Sequence, residues 1–429
     1  MYLRGSRWHM QKQRRRNRTN PAFIGLLVML ILAGLYFNQY VVPTIPLPQP
    51  PTLTPTRDPE SYVNAGAAAF AEGNLLQAID AYQQAILVDP DNPAIYIELA
   101  RVQVLAGRYE AAQTSVSNAL LLSPDNPTGH AILGWTMNFL GDREGARGAL
   151  ERAMQLDPNS ALAHAFYSEL LADQELYEQA AQESRLAVEL GGNLLEVRRS
   201  RGYVLERTGN YEEAAFQYEQ ALAINDRIAD LHLSLGRAYR AMERYDAAID
   251  QFVIADSLNP TDPLPDTYIG LIYLTTGEFG RAVQAMLQAT QEDPSNPFRH
   301  GNLGIAYYRN QQPLEALDEL TLAIRGGTTA EGVVVQGLPL DYGQVSAFYY
   351  IYGLLLARAG RCEEALPISQ ALIASVSDDP SAVANAEEMV LICEGDVEGF
   401  PTFTPGITTT PQTTATPTIE QMMETTPSN

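Results

Sequence analysis
Lysine is nearly absent from this chain: Lys12 is the only one among 429 residues, and every other basic side chain is arginine. Nothing in the sequence explains that bias. Cysteine is almost as scarce. Cys362 and Cys393 are the only two, too few for a four-ligand zinc site of the cysteine-rich kind. Basic residues are outnumbered, 28 against 51 acids, for a formal net charge of −23. So acidic a chain repels nucleic acid and anionic membrane on average, which argues against a nucleic-acid partner. Charge of either sign is missing between Thr19 and Thr56. Signatures of chemistry are missing too. The sequence holds no Walker phosphate loop, nucleophile elbow or Cys/His ligand cluster. Its many carboxylates fall on solvated helix faces rather than in catalytic pairs. No enzymatic activity, cofactor or metal is expected.

The uncharged stretch is informative. From Ala22 the run "AFIGLLVMLILAGLYF" is unbroken apolar, and no charge interrupts it through Val42. A membrane-spanning helix needs about 20 mostly apolar residues, whereas a signal peptide has a core of about 7–15 and a small-x-small cleavage site. The length, and the following "NQYVVP" with no small pair, favour a retained transmembrane helix over residues 21–42 against a cleaved leader. Pro21 sits where a first turn accepts it, and Tyr36, Phe37 and Tyr40 form an aromatic belt. Arg4, Arg7, Lys12, Arg14, Arg15, Arg16 and Arg18 precede the run, and the next charge is Arg57. That asymmetry is expected to hold residues 1–20 in the cytoplasm and the bulk outside the cell membrane. A nucleic-acid arm is the competing reading of the basic run, and its place beside an apolar span argues for topology instead.

Residues 43–58 follow as a proline-rich linker, "PTIPLPQPPTLTPTRD", expected to be extended. Residues 396–429 form a Thr/Pro-rich tail without the apolar periodicity of a core, expected to be disordered. Between them lies a repeat. "ILVDPDNPA", "LLLSPDNPT", "MQLDPNSAL", "DSLNPTDPL" and "TQEDPSNPF" place Pro90, Pro124, Pro158, Pro260 and Pro294 at multiples of 34 residues. Such a period predicts a solenoid of helical hairpins. Nine units start near Pro59, Pro93, Pro127, Ala161, Leu195, Ala229, Pro263, Pro297 and Ser346. The eighth position of each unit is Gly66, Ala100, Gly134, Ser168, Gly202, Gly236, Gly270, Gly304 or Gly353, always small. The twentieth is alanine in all nine, from Ala78 to Ala365. Small side chains at these places let two antiparallel helices approach closely. Glycine recurs between the helices, where a left-handed cap suits it.

This pattern resembles the tetratricopeptide repeat family over Pro59 to about Cys393. The resemblance implies an all-α, right-handed α-solenoid of about nine hairpins plus a capping helix, with units 1–8 in residues 59–330. An insertion at 331–345 and the ninth unit with its cap at 346–395 complete it. Departures are visible as well. Arg201 replaces an apolar residue at a position the family buries, units four, five and eight lack the terminating proline, and Pro367 falls inside a helix where a kink is expected.

His130, His164, His232 and His300 all occupy the fourth position of a unit. Equivalent positions in adjacent repeats lie about 10 Å apart, too far to share a zinc ion with bonds of about 2 Å. They read as a packing position. In the family, ligands lie along the concave face lined by the first helices. Carried over by position, that face includes Trp135, Phe139, Arg199, Tyr203, Arg207, Arg237, Arg240 and Tyr308. Trp135 and Phe139 stand one turn apart on a face expected to be wet. The arginines invite a carboxylate or phosphate, or else Glu206 and Asp230 satisfy them across the repeat interface. The set does not match the family's carboxylate clamp of lysines and asparagines, so no peptide class follows.

The helical order of such a stack brings Cys362, at the start of a second helix, near Cys393, at the end of the capping helix. A disulfide is expected there; two free, partly buried thiols are the alternative. The combined expectation is a membrane-anchored, extracytoplasmic scaffold that binds a protein or peptide of unknown identity. A structural component of the cell envelope acting by self-association is the alternative.

Overall fold
The computed structural model describes residues 20–37, 39 and 58–395, and the chain divides into two compact units, residues 1–57 and 58–429. In the first, α1 spans Pro21–Tyr36, with the Asn20 side chain accepting from the Ala22 amide at 3.2 Å and Pro21 in the first turn. Its 16 residues rise about 24 Å at about 1.5 Å each, short of a hydrocarbon core of about 30 Å. Among the described residues, no helix is long and apolar enough to cross a membrane. The expected span of 21–42 runs past the end of α1 into residues 38 and 40–42, which lie outside the described residues. The basic arm, all but Asp58 of the linker, and the tail lie outside them too.

The second unit is a stack of antiparallel helix pairs. The first helices are α2 (Pro59–Ala71), α4 (Pro93–Leu105), α6 (Pro127–Phe139), α8 (Ala161–Asp173), α10 (Leu195–Arg207), α12 (Ala229–Ala241), α14 (Leu264–Thr276), α16 (Pro297–Arg309) and α18 (Gln344–Arg358). Their partners are α3 (Leu75–Val88), α5 (Tyr109–Leu122), α7 (Arg143–Leu156), α9 (Tyr177–Gly191), α11 (Tyr211–Leu222), α13 (Tyr245–Leu258), α15 (Phe279–Glu292), α17 (Pro313–Arg325) and α19 (Cys362–Ser375), with α20 (Pro380–Glu394) closing the stack.

The repeated "DNP" and "SNP" triplets explain the starts. Asn92, Asn126 and Asn296 are N-caps whose side chains accept from the amides of Ala94, Gly129 and Phe298 at 3.2, 2.9 and 3.0 Å. The proline after each takes the first helical position, where no amide hydrogen is missed. Each hairpin turn then needs one left-handed residue. Six of the nine are glycines, and Glu175, Glu243 and Gln311 adopt the same conformation at φ of 57–61°. Packing explains the rest of the pattern. All nine twentieth-position alanines are fully buried. A Cβ at Gly202 would stand 2.6 Å from the Tyr218 ring, and one at Gly236 2.6 Å from Phe252, so the small eighth residue is the space a large second-helix residue fills.

The only described strands are β1 (Gly327–Thr328), just before the insertion, and β2 (Val334–Val335), within it, paired antiparallel with Gly327 opposite Val335. Leu338 ties this loop to the stack through the Tyr349 hydroxyl at 2.7 Å and the Ala323 carbonyl at 2.9 Å. Arg201 is buried, as its position in the repeat requires, and donates to Ser184 Oγ at 3.0 Å. Burial lowers its pKa, against the pull of Glu213. α19 runs through Pro367 to Ser375 as one helix.

Candidate binding groove
The first helices carry a ladder of polar contacts from unit to unit. Glu169 on α8 accepts from Arg199 on α10 at 2.6 Å, from Ser200, and from the Trp135 indole on α6 at 3.3 Å. Arg199 also donates to Asp230 on α12 at 2.9 Å. One rung further, Arg237 on α12 donates to both Glu206 oxygens at 2.8 and 3.2 Å, and Tyr218 donates to the same carboxylate at 2.8 Å. Asp173 accepts from Asn138 at 2.8 Å and from the Tyr203 hydroxyl. Burial works against the Arg199 charge, but Glu169 and Asp230 outweigh it and raise its pKa. The Asp230 carboxyl would be raised by burial; Arg199 and Arg237 instead hold it below its ordinary value.

This ladder corrects two expectations. Trp135 does not stand on a wet face. It is 1% exposed, stacked on Phe166 at 4.3 Å between ring centroids, because its indole N–H finds an acceptor only in the wall formed by Glu169. Nor are Arg199 and Arg237 available to an external carboxylate; internal acids already occupy them, the alternative that the sequence left open. Of the remaining candidates, Phe139 lies between Tyr109, stacked at 4.6 Å, and the Arg199 guanidinium at 5.4 Å. Arg240 lies over Tyr268 at 5.1 Å. Arg207 is exposed, and the Tyr308 hydroxyl is 3.5 Å from Arg358 near the other end. Two cavities gather the candidates unequally. One of about 560 Å³ takes in Trp135, Phe139 and Arg199, and an adjoining one of about 170 Å³ takes in Phe139, Arg199, Tyr203 and Arg237. Arg207, Arg240 and Tyr308 line neither.

The larger cavity exists because the stack closes on itself. Asn225, in the loop after α11, donates to the Phe70 carbonyl at the end of α2 at 2.6 Å. Arg227 packs so tightly on Gly73 that a Cβ there would stand 1.9 Å from its own. Arg101 on α4 donates to Glu196 on α10 at 2.5 Å and lies over the Phe70 ring at 4.9 Å. This clasp joins units one and two to unit five. Sequence reasoning missed Gly73, Glu196, Asn225, Arg227 and the cavity-lining Tyr109 and Asp262. One signal pointed there: unit five lacks the terminating proline, and α11 is 12 residues long where α5 and α13 are 14. The freed loop is the clasp.

Elsewhere, His164 and His300 each place Nδ1 2.6 Å from a glutamate of the partner helix, Glu183 or Glu319, and Nε2 on a carbonyl of the preceding turn. His232 repeats the geometry on the neutral Gln251 at 2.7 Å. The fourth position is thus an intra-repeat hook. Asp256, Asp266 and Glu292 also converge, with one carboxylate oxygen from each lying within 4.8 Å of the others. Burial, then Asp256 and Glu292, push the Asp266 carboxyl up to about 7. The Cys362 and Cys393 sulfurs are bonded, with Cα atoms 5.5 Å apart.

Comparison with known proteins follows the same lines. Family models described as tetratricopeptide repeat match residues 69–135, and residues 199–263 and 233–297. No curated protein sequence matches the chain. Similar solved structures include the APC/C hetero-tetramer Cut9-Hcn1, at 15% identity and TM-score 0.45, covering 57% of this chain and 55% of that one. This chain therefore spans about half the length of that relative. A tetratricopeptide repeat protein from Parabacteroides merdae is 18% identical at TM-score 0.38, covering 58% of this chain and 98% of that one. MamA is 24% identical at TM-score 0.33, covering 38% and 95%. Tetratricopeptide repeats are thus recognised over residues 69–135 and 199–297, within an all-helical solenoid whose nine hairpins share one plan.

Proposed function
We propose that this chain is a non-catalytic scaffold that binds proteins or peptides, held at the outer face of a membrane by its N-terminal apolar segment. The observation that carries the binding reading is the cavity of about 560 Å³ on the inner side of the repeats, a size and a mixed lining suited to part of a ligand. The anchoring reading rests on the apolar, wholly exposed α1 and on the uncharged sequence that continues beyond it. The location reading draws support from the Cys362–Cys393 bond, since such bonds persist in oxidising compartments.

Crosslinking in intact cells, capture of the full chain and mass spectrometry test the binding reading. A reproducible set of partners lost when the solenoid is deleted is the expected result, and recovery of the same set without it would refute the proposal. Protease added to intact spheroplasts should digest the solenoid. Full protection would overturn the orientation. Self-association is a second reading, favoured by Leu87 and Leu121, which stand 76% and 79% exposed at equivalent places on α3 and α5. Light scattering that gives a monodisperse oligomer at low concentration would favour it.

A further inference from the structure
We infer that the cavity enclosed by the clasp receives the basic side chain of a partner protein, an arginine or lysine, rather than an acidic group. This rests on the scaffold reading and specifies what one of its sites accepts. The sequence suggested the opposite, because its arginines gather here, and the structure reverses the sign. Asp230 and Asp262 line the cavity with Arg199 and Arg227, and Glu169 sits directly behind Arg199. Two carboxylates and two guanidiniums thus line the wall, but buried Glu169 already draws on Arg199 from behind, so Asp230 and Asp262 share what remains of that charge with Arg227, and one added positive charge balances the set. Neighbouring charges offset this only in part. Arg237 acts on Asp230 but is engaged by Glu206, Arg299 acts on Asp262 but lies 4.0 Å from Asp293, and Asp256 adds another negative charge near Asp262.

Asp230 offers a free edge. Protein surrounds it, yet its side chain is 43% exposed, because the surface it exposes is the cavity wall. One oxygen takes Arg199, leaving acceptor capacity on the other. Asp262 Oδ1 accepts from the Leu264 amide at 3.0 Å, which holds that carboxylate at the wall. The remaining lining suits the stem of a long cationic side chain. Leu75, Leu105, Tyr109, Phe139, Leu233 and Leu264 supply it, and such stems bury their methylenes while the charged head seeks an acceptor. Tyr109, with one face stacked on Phe139, adds aromatic surface, which attracts cations.

The test titrates full-length protein carrying Trp8→Phe, so that Trp135, on the cavity wall, is the only indole. The probes are the N-acetyl amides of arginine, lysine, norleucine and glutamate. A saturable fluorescence change is expected with arginine or lysine and not with the other two. Asp262→Asn keeps the oxygen that caps Leu264 and should weaken binding about tenfold or more, the usual effect of losing a charged hydrogen-bond partner. Ser257→Arg, on an exposed lining residue, should abolish it by placing a cation in the cavity. Binding of glutamate amide, equal binding of norleucine amide, no binding of any probe, or unchanged affinity in Asp262→Asn would each overturn the assignment. If the probes fail while crosslinked partners are still recovered, the cavity assignment falls and the scaffold reading stands. If arginine amide binds and no partner is recovered, the reverse holds.

Discussion
Replacing Gly73 by alanine should open the clasp, and the repeat supplies its own control. Gly73 and Gly107 hold the same place in units one and two, at φ of +74° and +70°. A left-handed backbone disfavours any Cβ by about 1–2 kcal/mol, so that part of the penalty is common to both. The surroundings differ. A Cβ at Gly107 meets nothing within 4 Å, whereas one at Gly73 stands 1.9 Å from the Arg227 Cβ. Carbon atoms settle at about 3.5–4.0 Å, and a Cβ cannot swing away as the end of a side chain can. The two segments must therefore part by nearly 2 Å. The Asn225–Phe70 bond, now 2.6 Å, does not survive that, and a buried amide left unpaired costs about 1–3 kcal/mol. The long Arg101 side chain can follow Glu196, so that ion pair is kept. Gly107→Ala should cost about 1–2 kcal/mol and Gly73→Ala about 2–5 kcal/mol. Urea unfolding gives the totals, and hydrogen exchange in α2 and α3 locates the difference. Acrylamide quenching of Trp135 should rise only in Gly73→Ala. Equal destabilisation by the two variants, with equal quenching, would refute the clasp.

Further outcomes follow from other contacts. Arg199→Ala leaves Glu169 buried without its cation and should cost about 3–5 kcal/mol, against within about 0.5 kcal/mol for exposed Arg207→Ala; thermal unfolding of both compares them, and equal shifts would contradict the ladder. Asp266, raised to about 7, contributes stability that is complete below its unfolded value near 4 and lost as pH climbs through 7. Asp266→Asn should therefore stabilise the protein at pH 8 by about 1–2 kcal/mol after solvent screening and change little at pH 4, as denaturant titration at the two pH values would show. Glu183 raises the pKa of His164 through its hydrogen bond; for His300, burial opposes the charge and Glu319 outweighs it. Their stabilisation is complete below about 6.5, the usual histidine value, and fades as pH rises above it. Glu183→Gln should flatten the stability profile above about pH 6.5, and an unchanged slope would count against the hook. Reducing the Cys362–Cys393 bond, which closes a separation of 31 residues, should remove about 3–4 kcal/mol on the chain-entropy view and raise exchange in α20. Full labelling of both thiols in unreduced, denatured protein from cells would show that the bond is absent there.

The helix pairs were legible because their causes are local and repeated. Asn-Pro caps, a left-handed turn, buried alanine and small eighth residues each act within one unit or between neighbours, so every repeat states them again. Even the exceptions obey: Glu175, Glu243 and Gln311 lack glycine's freedom, yet tertiary packing imposes the same turn. The groove was legible only in part. The positions of Trp135 and Arg199 on the first helices followed from the period, but their burial did not. Burial there depends on Glu169, Ser200 and Asp230 arriving together, and on a loop of unit five reaching α2 across 155 residues. No periodicity encodes a contact made once. The membrane segment is a different case. Hydropathy measures apolar length, and that length continues past the end of α1 at Tyr36 into residues outside those described.

The clasp also changes how this chain can fold. A repeat array held only by neighbours can form from either end and add one unit at a time. Here α2 finds the Asn225 partner of its last turn only after about five units have been made, and closing so long a loop carries an entropic charge that grows with its length. During synthesis, units one to four should stay open at that edge until unit five leaves the ribosome, and then consolidate together. The first five units then behave as a single cooperative block, while units six to nine lengthen it in single steps.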